Sequence, residues 1–143
     1  MPASSLLRIS PPGQGLHEVT TPVRDAVAAL QKTLDASTAQ EGLVTLFLRH
    51  TSASLLIQEN ADASARADLE AWFRRAVPEN DPAYTHTLEG PDDMPAHLRA
   101  ALTATSLSIP LLAGRLALGT WQGIYLFEHR HAPGTRELVV QLG

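Results

Sequence analysis

The chain has 143 residues, enough for one domain with a sizeable core and too few for a second of ordinary size. It contains no cysteine, which excludes disulfides, thiolate metal sites, iron–sulfur clusters and cysteine nucleophiles, and leaves six histidines as the side chains that titrate near neutral pH. Eleven basic residues, all arginine except Lys32, stand against fifteen acidic ones for a net charge of −4. No Lys/Arg cluster is present to displace counterions, so nucleic acid is not an expected partner. No apolar run is long enough to cross a bilayer, and the opening MPASSLLRISPP is too short in its apolar part for a signal peptide. The expectation is a cytoplasmic protein with no membrane partner.

Leu6, Leu7 and Ile9, then residues 16–20, predict two short strands joined by a turn at 11–15. Thr21 reads as a helix N-cap with Pro22 at the first helical position. Val23, Val27, Leu30 and Leu34 then recur at helical spacing to about residue 36. Glu41-Gly42 is a turn. Over 43–50, alternation puts Val44, Leu46, Leu48 and His50 on one strand face and Thr45, Phe47 and Arg49 on the other. The small polar run 51–54 follows, then a strand at 55–57. Asn60 reads as the N-cap of a helix over 61–77, with Leu69, Trp72, Phe73 and Ala76 as its buried stripe and Pro78 as its end.

Segment 79–97 is the most polar and least regular, and Asp92 or Asp93 can cap a short helix running to 103. After it the pattern is β at 106–112, 115–118, 120–130 and 136–142. The fold class this predicts is α+β: a single domain over 1–143, mostly antiparallel β-sheet with about three helices.

Three polar segments, 50–60, 86–97 and 119–130, combine histidine with carboxylates at element ends, where functional groups concentrate. His17 and His131 fall outside them and read as surface residues. Asp93 and His97 are four apart and face one side of a helix. They can share a metal, or the carboxylate can fix the imidazole's tautomer from behind it; or Asp93 merely caps and His97 is exposed, which spacing alone favours. Along 120–130, alternation places Trp121, Gly123, Tyr125, Phe127 and His129 on one face, and Gln122, Ile124, Leu126, Glu128 and Arg130 on the other. His129 and Glu128 are therefore not expected to meet in one site. Trp121 reads as a core residue of that row rather than a stacking platform. Thr51, Ser52 and Ser54 offer hydroxyls and N–H groups to a phosphate oxygen, although such runs also occur in plain turns. No Walker pattern, GxGxxG or GxSxG is present.

In order along the chain stand His50-Thr51-Ser52-Ala53-Ser54-Leu55, Glu59-Asn60, Glu89-Gly90-Pro91-Asp92-Asp93-Met94-Pro95-Ala96-His97, Gly119-Thr120-Trp121-Gln122-Gly123-Ile124 and Glu128-His129-Arg130. These segments resemble the YjbQ-like family, also called secondary thiamine-phosphate synthases, and the likeness spans nearly the whole chain. The resemblance implies a compact α+β homotrimer with weak thiamine-phosphate synthase activity, joining a pyrimidine methyl diphosphate to a thiazole phosphate with release of pyrophosphate. It implies a divalent metal, zinc or magnesium, held by His86, His97 and His129. Binding of a small phosphorylated molecule falls to Thr51, Ser52, Ser54, Thr120, Gln122 and Arg130, with Arg49 as a further cation. His50, Glu59 and Glu128 are the candidate catalytic groups. The alternative is a non-catalytic trimeric module that binds a metal or a phosphorylated metabolite.

Overall fold

The computed structural model describes residues 1–143. In chain order the elements are β1 (Ala3–Ile9), β2 (Gly15–Glu18), α1 (Thr20–Gln31), α2 (Ala36–Glu41), β3 (Leu43–Leu48) and β4 (Ala53–Glu59). They continue with α3 (Ala63–Ala76), α4 (Asp93–Leu102), β5 (Ser106–Leu112), β6 (Arg115–Leu116), β7 (Gln122–Glu128) and β8 (Arg136–Leu142). The strands form two antiparallel sheets, β1-β8-β3-β5-β6 and β2-β7-β4. The α+β single-domain class is as expected. The first two strands, however, do not pair with each other: β1 lies on β8 and β2 on β7.

Both sheets and α1 share one apolar core. Val23, Val27 and Leu30 of α1 meet Val44, Leu46 and Leu48 of β3, Leu138, Val140 and Leu142 of β8, and Leu55, Ile124 and Leu126 of the smaller sheet. The opposite face of β7 sends Tyr125 and Phe127 into a second cluster with Leu16 and Phe73. Strand β7 is thus buried on both faces, and the alternation read along it holds.

Several ends differ from expectation, each for a local reason. Helix α1 starts at Thr20 rather than after Thr21, because the Thr20 hydroxyl donates to Glu18 and accepts the Ile124 N–H. It stops at Gln31 instead of about 36, and a fourth helix, α2, begins where Asp35 caps Thr38 through both N–H and hydroxyl. Asn60 is not the cap of α3: Asp62 takes that place by accepting the Ser64 N–H, and Asn60 donates to Glu18. Phe73 is the only buried residue of the expected α3 stripe; Trp72 is 51% exposed and lies edge-on against it. Trp121 lies one residue before β7 and is 64% exposed, not a core residue.

The end of β7 carries a charge into the core. Glu128 is fully buried, and Arg136 at the start of β8 grips it in a fork, Nε to Oε1 at 2.6 Å and Nη2 to Oε2 at 2.5 Å. This pair ties one sheet to the other. Arg136→Met is expected to cost about 3–5 kcal/mol, since it strands a buried carboxylate. Denaturant unfolding should find the double variant Glu128→Met/Arg136→Met more stable than Arg136→Met alone.

Candidate metal centre

Helix α4 begins with two adjacent carboxylates, and the chain uses them differently. Asp92, at the N-cap, makes no side-chain cap; it accepts from Arg130 Nε at 3.0 Å and the His131 N–H at 2.9 Å. Asp93, in the first turn and 5% exposed at its side chain, faces the imidazole one turn later. Its Oδ2 lies 3.0 Å from His97 Nε2 and 2.7 Å from His86 Nε2, which arrives from the preceding loop. Its Oδ1 accepts from Arg130 Nη1 at 2.7 Å. Burial by itself would push both carboxyls up, but hydrogen bonds from Arg130 onto Asp92, and from His86 and His97 with the Arg130 charge onto Asp93, hold both below the usual carboxylate range. Gly90, at φ +102, turns the loop so that the Glu89 carbonyl reaches Arg130 Nη2 at 2.9 Å.

The donor atoms of His86, Asp93 and His97 all lie within 4.8 Å of one another. Donors bound tetrahedrally to one ion at about 2.0–2.1 Å stand roughly 3.3 Å apart, a few tenths of an ångström beyond the two Asp93–imidazole distances. The tautomer adds a second argument. His97 Nδ1 donates to the Thr51 carbonyl at 2.9 Å, so donation from Nε2 to Asp93 needs a second proton on the ring; without it two lone pairs face each other. Two lone pairs at that distance repel unless a proton or a cation lies between them. A backbone carbonyl behind the imidazole is also the usual support of a metal-bound histidine. The residues fit a divalent ion, and imidazole donors suit zinc better than magnesium, which prefers oxygen.

Next to the cluster runs an open groove of about 770 Å³ whose lining includes Phe47, Arg49, His50, Thr51, Ser52 and His97. Thr51, Ser52 and Arg49 therefore line one concave surface with His97. The other candidates go elsewhere. His129 is fully buried against Phe127, its Nε2 2.8 Å from Ser54 Oγ, and it stands apart from His86 and His97. Ser54 is buried too; it lies within β4, pairs with His129 and accepts from Thr103, so it cannot reach a phosphate. Glu128 is sealed by Arg136 and also accepts the Arg130 N–H. His50 lines the groove, but its Nε2 accepts the Glu137 N–H at 2.8 Å and its Nδ1 faces Arg136. Burial, aided by the Arg136 charge, lowers its affinity for a proton.

Glu59 and Gln122 pair at the far end of the smaller sheet, six residues along β7 from Glu128, or about 20 Å at strand rise. There Glu59 accepts the Asp62 N–H, Gln122 accepts the Gly119 N–H, and Thr120 is exposed beside them. Asp93 joins the candidate set in place of His129; its i,i+4 relation to His97 was the signal available in the sequence.

These features define a two-sheet α+β protein with a carboxylate-bridged histidine pair beside an open groove. The chain belongs to the UPF0047 protein YjbQ-like family, whose model matches residues 6–143. It is 47% identical to a UPF0047 protein of Synechocystis sp. over 96% of this chain and 88% of that one. It is 42% identical to YjbQ of Salmonella typhimurium, over 95% and 94% of the two chains. A conserved hypothetical protein of Thermus thermophilus has the same fold, with a TM-score of 0.82 at 32% identity over 97% of this chain and 99% of that one. A YbjQ-like protein of unknown function from Sulfolobus solfataricus superposes with a TM-score of 0.84 over 99% and 96%; at 22% identity it speaks for the fold alone.

Burial pulls the His129 imidazole down to about 3, with the Arg99 and Arg136 charges adding to the effect. Between that value and the ordinary 6.5, the unfolded chain binds a proton that the folded chain does not, so stability falls as pH drops through this window. In His129→Gln the loss over the same window should be smaller, on top of a cost of about 1–3 kcal/mol at neutral pH from the disturbed bond to Ser54. Urea midpoints measured from neutral pH down to about 4 check this; equal slopes in the two proteins would refute it.

Proposed function

We propose that the chain is a metal-dependent enzyme of small phosphorylated molecules: a transferase that joins a pyrimidine methyl diphosphate to a thiazole phosphate and releases pyrophosphate. The observation that supports it is the convergence of His86, Asp93 and His97 on one point beside the groove. His86 and His97 would hold the ion through Nε2 and Asp93 through Oδ2. A divalent ion there supplies positive charge against a departing pyrophosphate. Arg49, half exposed at the groove and bonded to Glu137 through Nη1 at 3.3 Å, has further N–H groups for a second phosphate, and the Thr51 and Ser52 side chains offer hydroxyls.

The coupling asks little of the remaining groups. In the coupling, the thiazole nitrogen lone pair forms a C–N bond as the methylene C–O bond breaks, and pyrophosphate leaves with that electron pair. No proton is removed, so no general base is needed. That suits a groove to which His50, Glu59 and Glu128 present no free basic atom. The resemblance supports a cytoplasmic homotrimer, and no helix of the chain is long and apolar enough to cross a membrane. Leu6, Leu43 and Phe47, each more than a third exposed on the outer face of the larger sheet, are the apolar surface such an assembly would cover. A non-catalytic module that holds a metal or a phosphorylated metabolite shares these features, and turnover separates the two.

The test is incubation of purified protein with both precursors, with zinc or magnesium and after chelation, beside His97→Ala. The expected result is product that requires the metal and falls at least about a hundredfold in the variant. Calorimetric binding of a phosphate ester with no product would leave the binding module standing and remove the enzyme.

A further inference from the structure

Arg130 follows β7 by two residues, and its position is fixed from behind: its N–H donates to Oε2 of the buried Glu128 at 3.0 Å. Its guanidinium then spends every nitrogen on the loop and on α4, Nε on Asp92, Nη1 on Asp93 and Nη2 on the Glu89 carbonyl. A planar fork filled in this way is a clamp, not a free phosphate ligand. Its effect on Asp93 is specific. Oδ1 is taken by Arg130, and only Oδ2 points at His86 and His97.

We infer that Arg130 is a positioning residue of the metal centre, restricting Asp93 to one coordinating oxygen so that an exogenous oxyanion completes the coordination of the ion. This rests on the metal reading proposed above and adds the class of ligand the centre accepts. Two imidazoles and one carboxylate oxygen make three donors, fewer than a divalent ion of this kind takes. The charges agree. Asp92 and Asp93 together bring two negative charges, Arg130 returns one positive, and a divalent ion leaves these three side chains and the ion net positive, with the Glu89 carboxylate exposed to solvent outside them. A small anion with exchangeable oxygens, such as inorganic phosphate, is what that surplus attracts. Without Arg130 the surplus disappears, and Asp93 is free to rotate and chelate with both oxygens.

Cobalt(II) titration of the full chain tests this, because its visible absorption reports coordination independently of any turnover. Wild type should bind one ion, and inorganic phosphate should change its spectrum. Arg130→Met should show a different spectrum at saturation and respond to phosphate about tenfold more weakly. Arg130→Lys keeps the charge but not the fork, so its phosphate response should recover while its saturated spectrum stays altered. It also serves if the methionine variant does not fold, as melting without metal will show. A saturated Arg130 variant with the wild-type spectrum, or a wild-type spectrum indifferent to phosphate, overturns the inference while leaving the metal site intact. If wild type binds no cobalt, the metal reading falls and this inference with it.

Discussion

The fold and the candidate site both hang on the ion pair of Glu128 and Arg136. Two charges taken from water are costly unless each finds a full set of partners. Here the carboxylate receives both tines of the fork and the Arg130 N–H, and Arg136 also reaches the Ser52 carbonyl and His50. A pair so completely matched fixes the relation of β7 to β8, and hence of one sheet to the other. It also fixes the two loops that leave it, the one carrying Arg130 and the one carrying Thr51.

Those two loops are what hold the candidate metal centre. Arg130 presses on the start of α4 from one side, and the Thr51 carbonyl orients His97 from the other. The histidines are exposed enough to be reached, whereas the Asp93 side chain between them is buried. A rigid polar frame behind open donors is what a metal site requires. The burial of Glu128, which disqualifies it as a catalyst, is what makes it useful to this frame.

Much of the architecture was legible in the sequence. Alternation along β7 separated His129 from Glu128, and the structure sends their side chains into different environments. The i,i+4 spacing of Asp93 and His97 gave the correct helix face. What could not be read was whether a polar residue spends its hydrogen bonds internally. His129 resembles a ligand in the sequence; only the tertiary pairing of β4 with β7 shows that Ser54 already holds its Nε2. Trp121 misled in the opposite sense, because alternation says nothing about where a strand begins, and one residue separates a core position from a solvent one. Asn60 is a good cap by type, but Glu18, distant in sequence, outcompetes the helix for its amide. Family motifs carried the same limit: they marked the right segments without distinguishing a donor from the residue that holds it.

The pairing of β1 with β8 has a consequence for how the molecule is made. Ala3 lies opposite Leu142, and β8 is also the only strand that links β1 to β3. β1 has no partner in its sheet until β8 is available, and until then β3 has only β5. Contacts so distant along the chain slow folding and leave apolar edges open to other chains meanwhile. The larger sheet closes through its most distant pairing, and α1, which packs on both β1 and β8, is the element placed to shelter β1 until then.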